Sequence, residues 1–102
     1  MTPAFVPQMF ERVMGCTSSE LVSWLPRALP DAELATDVTG QRNVAIWIDG
    51  SMELRWNILL SRRIGSLEIP QLQVTFAYKD LHDEARYRIQ KCFDLQTHRG
   101  GG

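Results

Sequence analysis

Cysteine and histidine are scarce in this chain, two of each in 102 residues. Cys16 and Cys92 lie far apart and fall in different expected elements. Nothing demands a disulfide between them, and two thiols suit a reducing cytosol better than a secreted framework. No cysteines stand two apart and no histidines four apart, so the spacing of a metal site is missing and neither metal nor other cofactor is expected. No apolar run approaches the ~20 residues a membrane helix needs. The N-terminus also lacks the basic start and apolar core of an export signal. These absences point to a cytoplasmic protein with no membrane partner. Charge of one sign is missing too: 11 basic residues face 12 acidic ones, which gives no general attraction to a phosphate backbone. The split is mildly uneven, with residues 1–40 at net −3 and the remainder at +2.

Catalytic motifs are equally sparse. There is no nucleophile elbow, no phosphate-cradling glycine loop and no dinucleotide fingerprint. A helix N-terminus can activate a thiol such as Cys16, but no histidine lies near it in sequence, and Cys92 fits better as a small packed hydrophobe. His82, Asp80, Asp83 and Glu84 are accounted for by the start of a helix. No catalytic residue is assigned, and an enzyme is not the expected class.

What the chain does have is alternation. Val44, Ile46 and Ile48 alternate with Ala45 and Trp47, and Met52, Leu54 and Trp56 alternate with Glu53 and Arg55. In a third run, Leu72, Val74, Phe76 and Tyr78 alternate with Gln71, Gln73, Thr75 and Ala77. Period-two patterning of this length predicts an antiparallel meander with one buried face. Asp49-Gly50 marks the first turn. An odd-numbered loop ending on Gly50 would pair Ile46 with Met52 and Val44 with Leu54, leaving Trp47 on the opposite, more polar face beside Arg55.

The flanks read as helical. Val6, Met9, Phe10, Val13 and Met14 recur at three- and four-residue intervals between Pro7 and Gly15, which predicts a short first helix. Thr17-Ser18-Ser19-Glu20 matches a capping box and opens a second helix, which Pro26 should kink or stop near Leu25. Residues 30–42 are turn-rich, with room for a short extended segment. Between the second and third runs, Leu59-Leu60 breaks the alternation and Pro70 forbids a central ladder position. That region is therefore an edge, a bulge or a long connection. A last helix, capped at Asp80, carries an apolar stripe of Leu81, Ala85, Ile89, Cys92 and Phe93.

Together these features predict one α+β domain over residues 1–102. Its antiparallel meander has three or four strands, preceded by two short helices and covered on one face by the C-terminal helix. Residues 1–6 are expected as a flexible arm and 97–102 as a flexible glycine tail.

Three features bear on function. The ending Arg99-Gly100-Gly101-Gly102 resembles the exposed Gly-Gly terminus of ubiquitin-like proteins and bacterial sulfur carriers. That resemblance implies a carboxylate threaded into an activating enzyme and a β-grasp fold with its hairpin first, whereas here helices precede the hairpin and a third glycine is present. Trp47 beside Arg55 suggests a base-stacking platform for single-stranded nucleic acid, but acidic residues are interleaved with the basic ones and nucleic acid is not the expected partner. Trp47, Arg55, Arg62 and Arg63 also belong to the residue types enriched where proteins meet. The leading expectation is a small non-enzymatic interaction or accessory protein that binds a protein partner or itself as a homodimer.

Overall fold

The computed structural model describes residues 5–36, 38–41, 43–47 and 49–97. The glycine tail, Arg42 and Ile48 lie outside them. The elements run β1 (Met9–Met14), α1 (Ser18–Ala28), β2 (Ala32–Ala35), β3 (Val44–Trp47), β4 (Met52–Ile64), β5 (Leu67–Tyr78) and α2 (Asp83–Thr97). The strands form a five-stranded antiparallel sheet in the order β1-β5-β4-β3-β2. The fold is α+β as expected, with a larger sheet and one N-terminal helix fewer.

The difference lies in residues 9–14. The expected first helix is instead an edge strand paired to β5 from Met9↔Ala77 to Met14↔Leu72. Two periods compete in this short segment, and an isolated helix so short is not self-supporting. The free edge of β5 offers a full ladder and decides the matter. Alternation then turns Phe10 and Arg12 inward. Phe10 stacks on Phe76 with ring centroids 4.6 Å apart, and Arg12 Nη1 reaches Asp94 Oδ1 at 2.5 Å. Within the expected arm Val6 is anchored rather than flexible: it is fully buried, and its carbonyl accepts from Arg86 Nε at 2.8 Å; residues 1–4 lie outside the described residues.

The capping box holds, with Thr17 Oγ1 accepting from the Glu20 amide at 3.1 Å and Glu20 Oε1 accepting from the Thr17 amide at 3.0 Å. Helix α1 runs through Pro26 to Ala28 rather than stopping at Leu25. It buries Leu21, Leu25 and Ala28, and that packing outweighs the backbone bond lost at the proline.

The register of β3 on β4 is not the expected one but is shifted by one residue, with Ala45 opposite Leu54, Ile46 opposite Glu53 and Val44 opposite Arg55. Gly50 does take a left-handed conformation, φ +78°, and its amide donates to the Trp47 carbonyl at 2.7 Å. The charges that enter opposite Val44 and Ile46 satisfy each other, since Arg55 Nε lies 2.5 Å from Glu53 Oε2.

One core, built on Trp56, Phe76, Phe93, Leu21, Leu54 and Val74, fills the space between the sheet and the helices. Helix α2 covers it as expected with Phe93, but its most buried side is turned from the expected stripe. The residues it buries are Arg86, Gln90, Phe93 and Thr97, while Leu81 and Ile89 are only partly buried against the core. The stripe is turned because α2 packs on α1 as well as on the sheet, where Phe93 meets Phe76 and Gln90 meets Tyr78. Polar Gln90 is tolerated because it is bonded at both ends: Tyr78 Oη donates to its Oε1 at 2.7 Å, and its Nε2 donates to Asp94 Oδ1 at 3.0 Å. The helix starts at Asp83 rather than just after Asp80, whose φ of 57° places it in the preceding turn. It also continues through buried Thr97, so residue 97 is helical rather than part of a flexible tail; the rest of that expected tail lies outside the described residues.

Candidate functional site

Strands β4 and β5 are far longer than their neighbours, at 13 and 12 residues. Pairing with β3 extends only to Val44↔Arg55 in the ladder, plus a bond from the Trp56 amide to the Asn43 carbonyl, and pairing with β1 ends at Met14↔Leu72. Beyond these points the two strands continue as a hairpin arm. Its turn at Gly65, φ +62°, joins Ile64 to Leu67. The register slips between Leu59 and Arg62, so that Leu60 and Ser61 together stand against Pro70. A bulge at this point is how a proline fits inside a strand of this length.

The arm is exposed and apolar. Ile58 is 78% exposed, Leu60 92%, Ile64 50% and Leu67 65%. By alternation Ile58 continues the buried series Met52, Leu54 and Trp56, but the helical layer no longer covers it there. Ile64 and Leu67 fall on the opposite face from Ile58, so both faces of the arm hold apolar side chains in water, and exposed apolar surface marks docking.

The residues singled out from sequence are divided by this geometry. Arg62 and Arg63 are exposed on the arm, opposite Ile69 and Glu68. Arg55 sits on the helix-free face, paired with Glu53. Trp47 is on the helix side, half-buried against the core, where it lines a groove of about 320 Å³ with Ala28, Pro30, Ile89 and Cys92. Trp47 and Arg55 therefore lie on opposite faces, and no stacking platform combines them. Arg99, Gly100, Gly101 and Gly102 lie outside the described residues. Cys16 is buried and Cys92 partly so, with its thiol 3.6 Å from the Arg27 carbonyl. Among the described residues, no group of three or more His, Cys, Asp or Glu side chains could hold a metal ion, and no helix is long and apolar enough to cross a membrane.

Sequence reasoning did not assign Ile58, Leu60, Ile64 and Leu67 to a site. The signals were the broken alternation at Leu59-Leu60 and the adjoining Arg62-Arg63, apolar and charged residues interleaved without a consistent face. A second feature missed is a cleft of about 360 Å³ at the root of the arm, lined by Ser18, Gln41, Asn43, Trp56, Asn57 and Ile58. Trp56 Nε1 donates to Ser18 Oγ at 2.8 Å and Asn43 Nδ2 donates to the Trp56 carbonyl at 3.0 Å. The buried Asn43 Oδ1 has no hydrogen-bond partner among the described residues.

The architecture is that of an α+β protein with an open, one-sided antiparallel sheet. No protein-family model matches the chain, and no curated protein matches it in sequence.

Proposed function

We propose that this protein is a small non-enzymatic interaction protein that docks a protein partner, or a second copy of itself, on the β4–β5 arm. The observation that carries this reading is the apolar arm: four large aliphatic side chains at least half exposed, beside the cations Arg62 and Arg63. By register Ile58 and Arg63 share the helix side of the arm, while Ile64, Leu67 and Arg62 share the other, so each face sets aliphatic side chains beside an arginine, residue types suited to association. The sheet core gives the arm a rigid base, so little order has to be gained on binding.

The test is Leu60→Glu, together with an Arg62→Glu/Arg63→Glu variant. Affinity capture from native lysate and sedimentation velocity of the purified chain report on the two kinds of partner. Leu60→Glu should remove the captured protein or the self-associated species while leaving the melting temperature close to that of the parent, because an exposed substitution contributes only about ±0.5 kcal/mol. If both variants capture and sediment like the parent, the arm is not the docking element.

A further inference from the structure

Helix α2 carries an apolar side that the core does not use. Ala85, Ile89 and Cys92 share one face of it with Arg88, at three- and four-residue spacing. The three apolar side chains are half-buried, while Gln90 and Phe93 on the adjoining face fill the core. Ala28 and Pro30, at and just beyond the end of α1, stand across from them with Trp47 of β3, and the space between is the groove of about 320 Å³. Small side chains create it. Ala28 and Ala85 each contribute only a methyl group to the lining, where a leucine would fill the space between the helices.

The groove's walls come from two helices and a strand and are almost wholly apolar, the character of a small-molecule site; its volume is at the lower end of the roughly 300–1,000 Å³ such sites span. The polar side chains that line it are donors. Arg88 is the one charged residue in the lining, and among the described residues its guanidinium has no ion-pair partner. Trp47 Nε1 has no acceptor among them either, and the Cys92 thiol donates to the Arg27 carbonyl at 3.6 Å. No carboxylate lines the groove. The charges on neighbouring residues balance, Arg27 and Lys91 against Asp31 and Glu84, so the sign of a ligand's charge is set by Arg88.

We propose that this groove binds a small monocarboxylic acid with an apolar body. The body lies against Ala28, Ala85 and Ile89, and the carboxylate meets the exposed Arg88 at the mouth. Guanidinium and carboxylate match as a charge-assisted, two-pronged pair, and a single guanidinium suits a single negative charge. Apolar walls give such a ligand its affinity, while the one cation selects the acid over a neutral molecule of the same shape. The groove lies by the turn between β3 and β4, at the opposite end of β4 from the arm. Ligand binding here and partner docking there therefore stand or fall separately.

The probe is sodium octanoate, titrated into the isotope-labelled full chain and followed by amide and indole chemical shifts. Shifts are expected at the Trp47 indole and at the amides of Ala85, Ile89 and Cys92, with a Kd of about 1 mM, the range open to a ligand of about ten non-hydrogen atoms. Octanol keeps the body and drops the charge, and it should bind about tenfold or more weakly, the loss of one charged hydrogen bond. Arg88→Gln should weaken octanoate by the same factor and leave octanol unchanged, a split that a merely structural arginine would not produce. Ala85→Leu fills the groove and should remove both ligands without lowering the melting temperature. Four results would each overturn the proposal: no shifts up to about 10 mM octanoate, octanol binding as tightly as octanoate, Arg88→Gln binding octanoate like the parent, or Ala85→Leu still binding it. Equal binding of octanol would point instead to an apolar side chain of a protein as the occupant.

Discussion

The bonded pair Tyr78 and Gln90 gives the sharpest test of how α2 is held on the sheet. Gln90 is fully buried, and its two amide atoms connect the Tyr78 hydroxyl to Asp94, which also receives Arg12. Tyr78→Phe removes the donor and strands Gln90 Oε1. Gln90→Leu strands the Tyr78 hydroxyl and takes one donor from Asp94. Each leaves a buried polar atom unsatisfied, at a cost of about 1–3 kcal/mol. The double variant replaces both partners with apolar groups of similar size, a change that is nearly neutral for the pair itself. Its loss should therefore be about 1–2 kcal/mol rather than the ~4 kcal/mol sum of two mid-range singles, a coupling of about 2 kcal/mol. Urea unfolding reads this directly. With a slope near 1–1.5 kcal/mol/M for a chain of this size, each single variant should lower the midpoint by about 1–2 M. Additive losses, or singles that unfold like the parent, would refute the argument that this pair makes a buried glutamine acceptable under α2.

The same tyrosine predicts an alkaline weakness. Burial, reinforced by Asp94, raises the Tyr78 phenol above its ordinary 10.0. The unfolded chain thus loses that proton first, and the stability contribution is complete below pH 10 and declines as the pH climbs beyond it; urea midpoints at pH 8 and pH 11 should show a fall that is smaller in Tyr78→Phe. Gly50→Ala should cost about 1–2 kcal/mol from backbone strain alone, because φ is +78° and nothing lies within 4 Å of the added methyl; a variant as stable as the parent in thermal unfolding would contradict this. Pro70→Val restores a donor to the bare β5 edge and should produce concentration-dependent association in sedimentation experiments; unchanged sedimentation would mean that proline is not what protects that edge.

Local signals determined much of this protein. The capping box at Thr17, the turn at Gly50 and the period-two burial of Leu54, Trp56, Val74 and Phe76 were legible because each depends on a few neighbouring residues or on a simple repeat. Three things required the tertiary structure. Residues 9–14 fit two periods, and only the waiting edge of β5 made them a strand. The register of β3, with Ala45 rather than Val44 opposite Leu54, was decided by the turn between Trp47 and Met52, since in a hairpin the loop sets the pairing. The face of α2 depended on its packing against α1 and on Tyr78 standing where it can bond Gln90. The candidate site belongs to this second group: Ile58 and Leu60 look like core residues in sequence, and they are exposed only because β1, β3 and both helices end before the hairpin does. Composition and patterning state what each side chain would prefer, whereas the lengths of neighbouring elements decide which preferences are met.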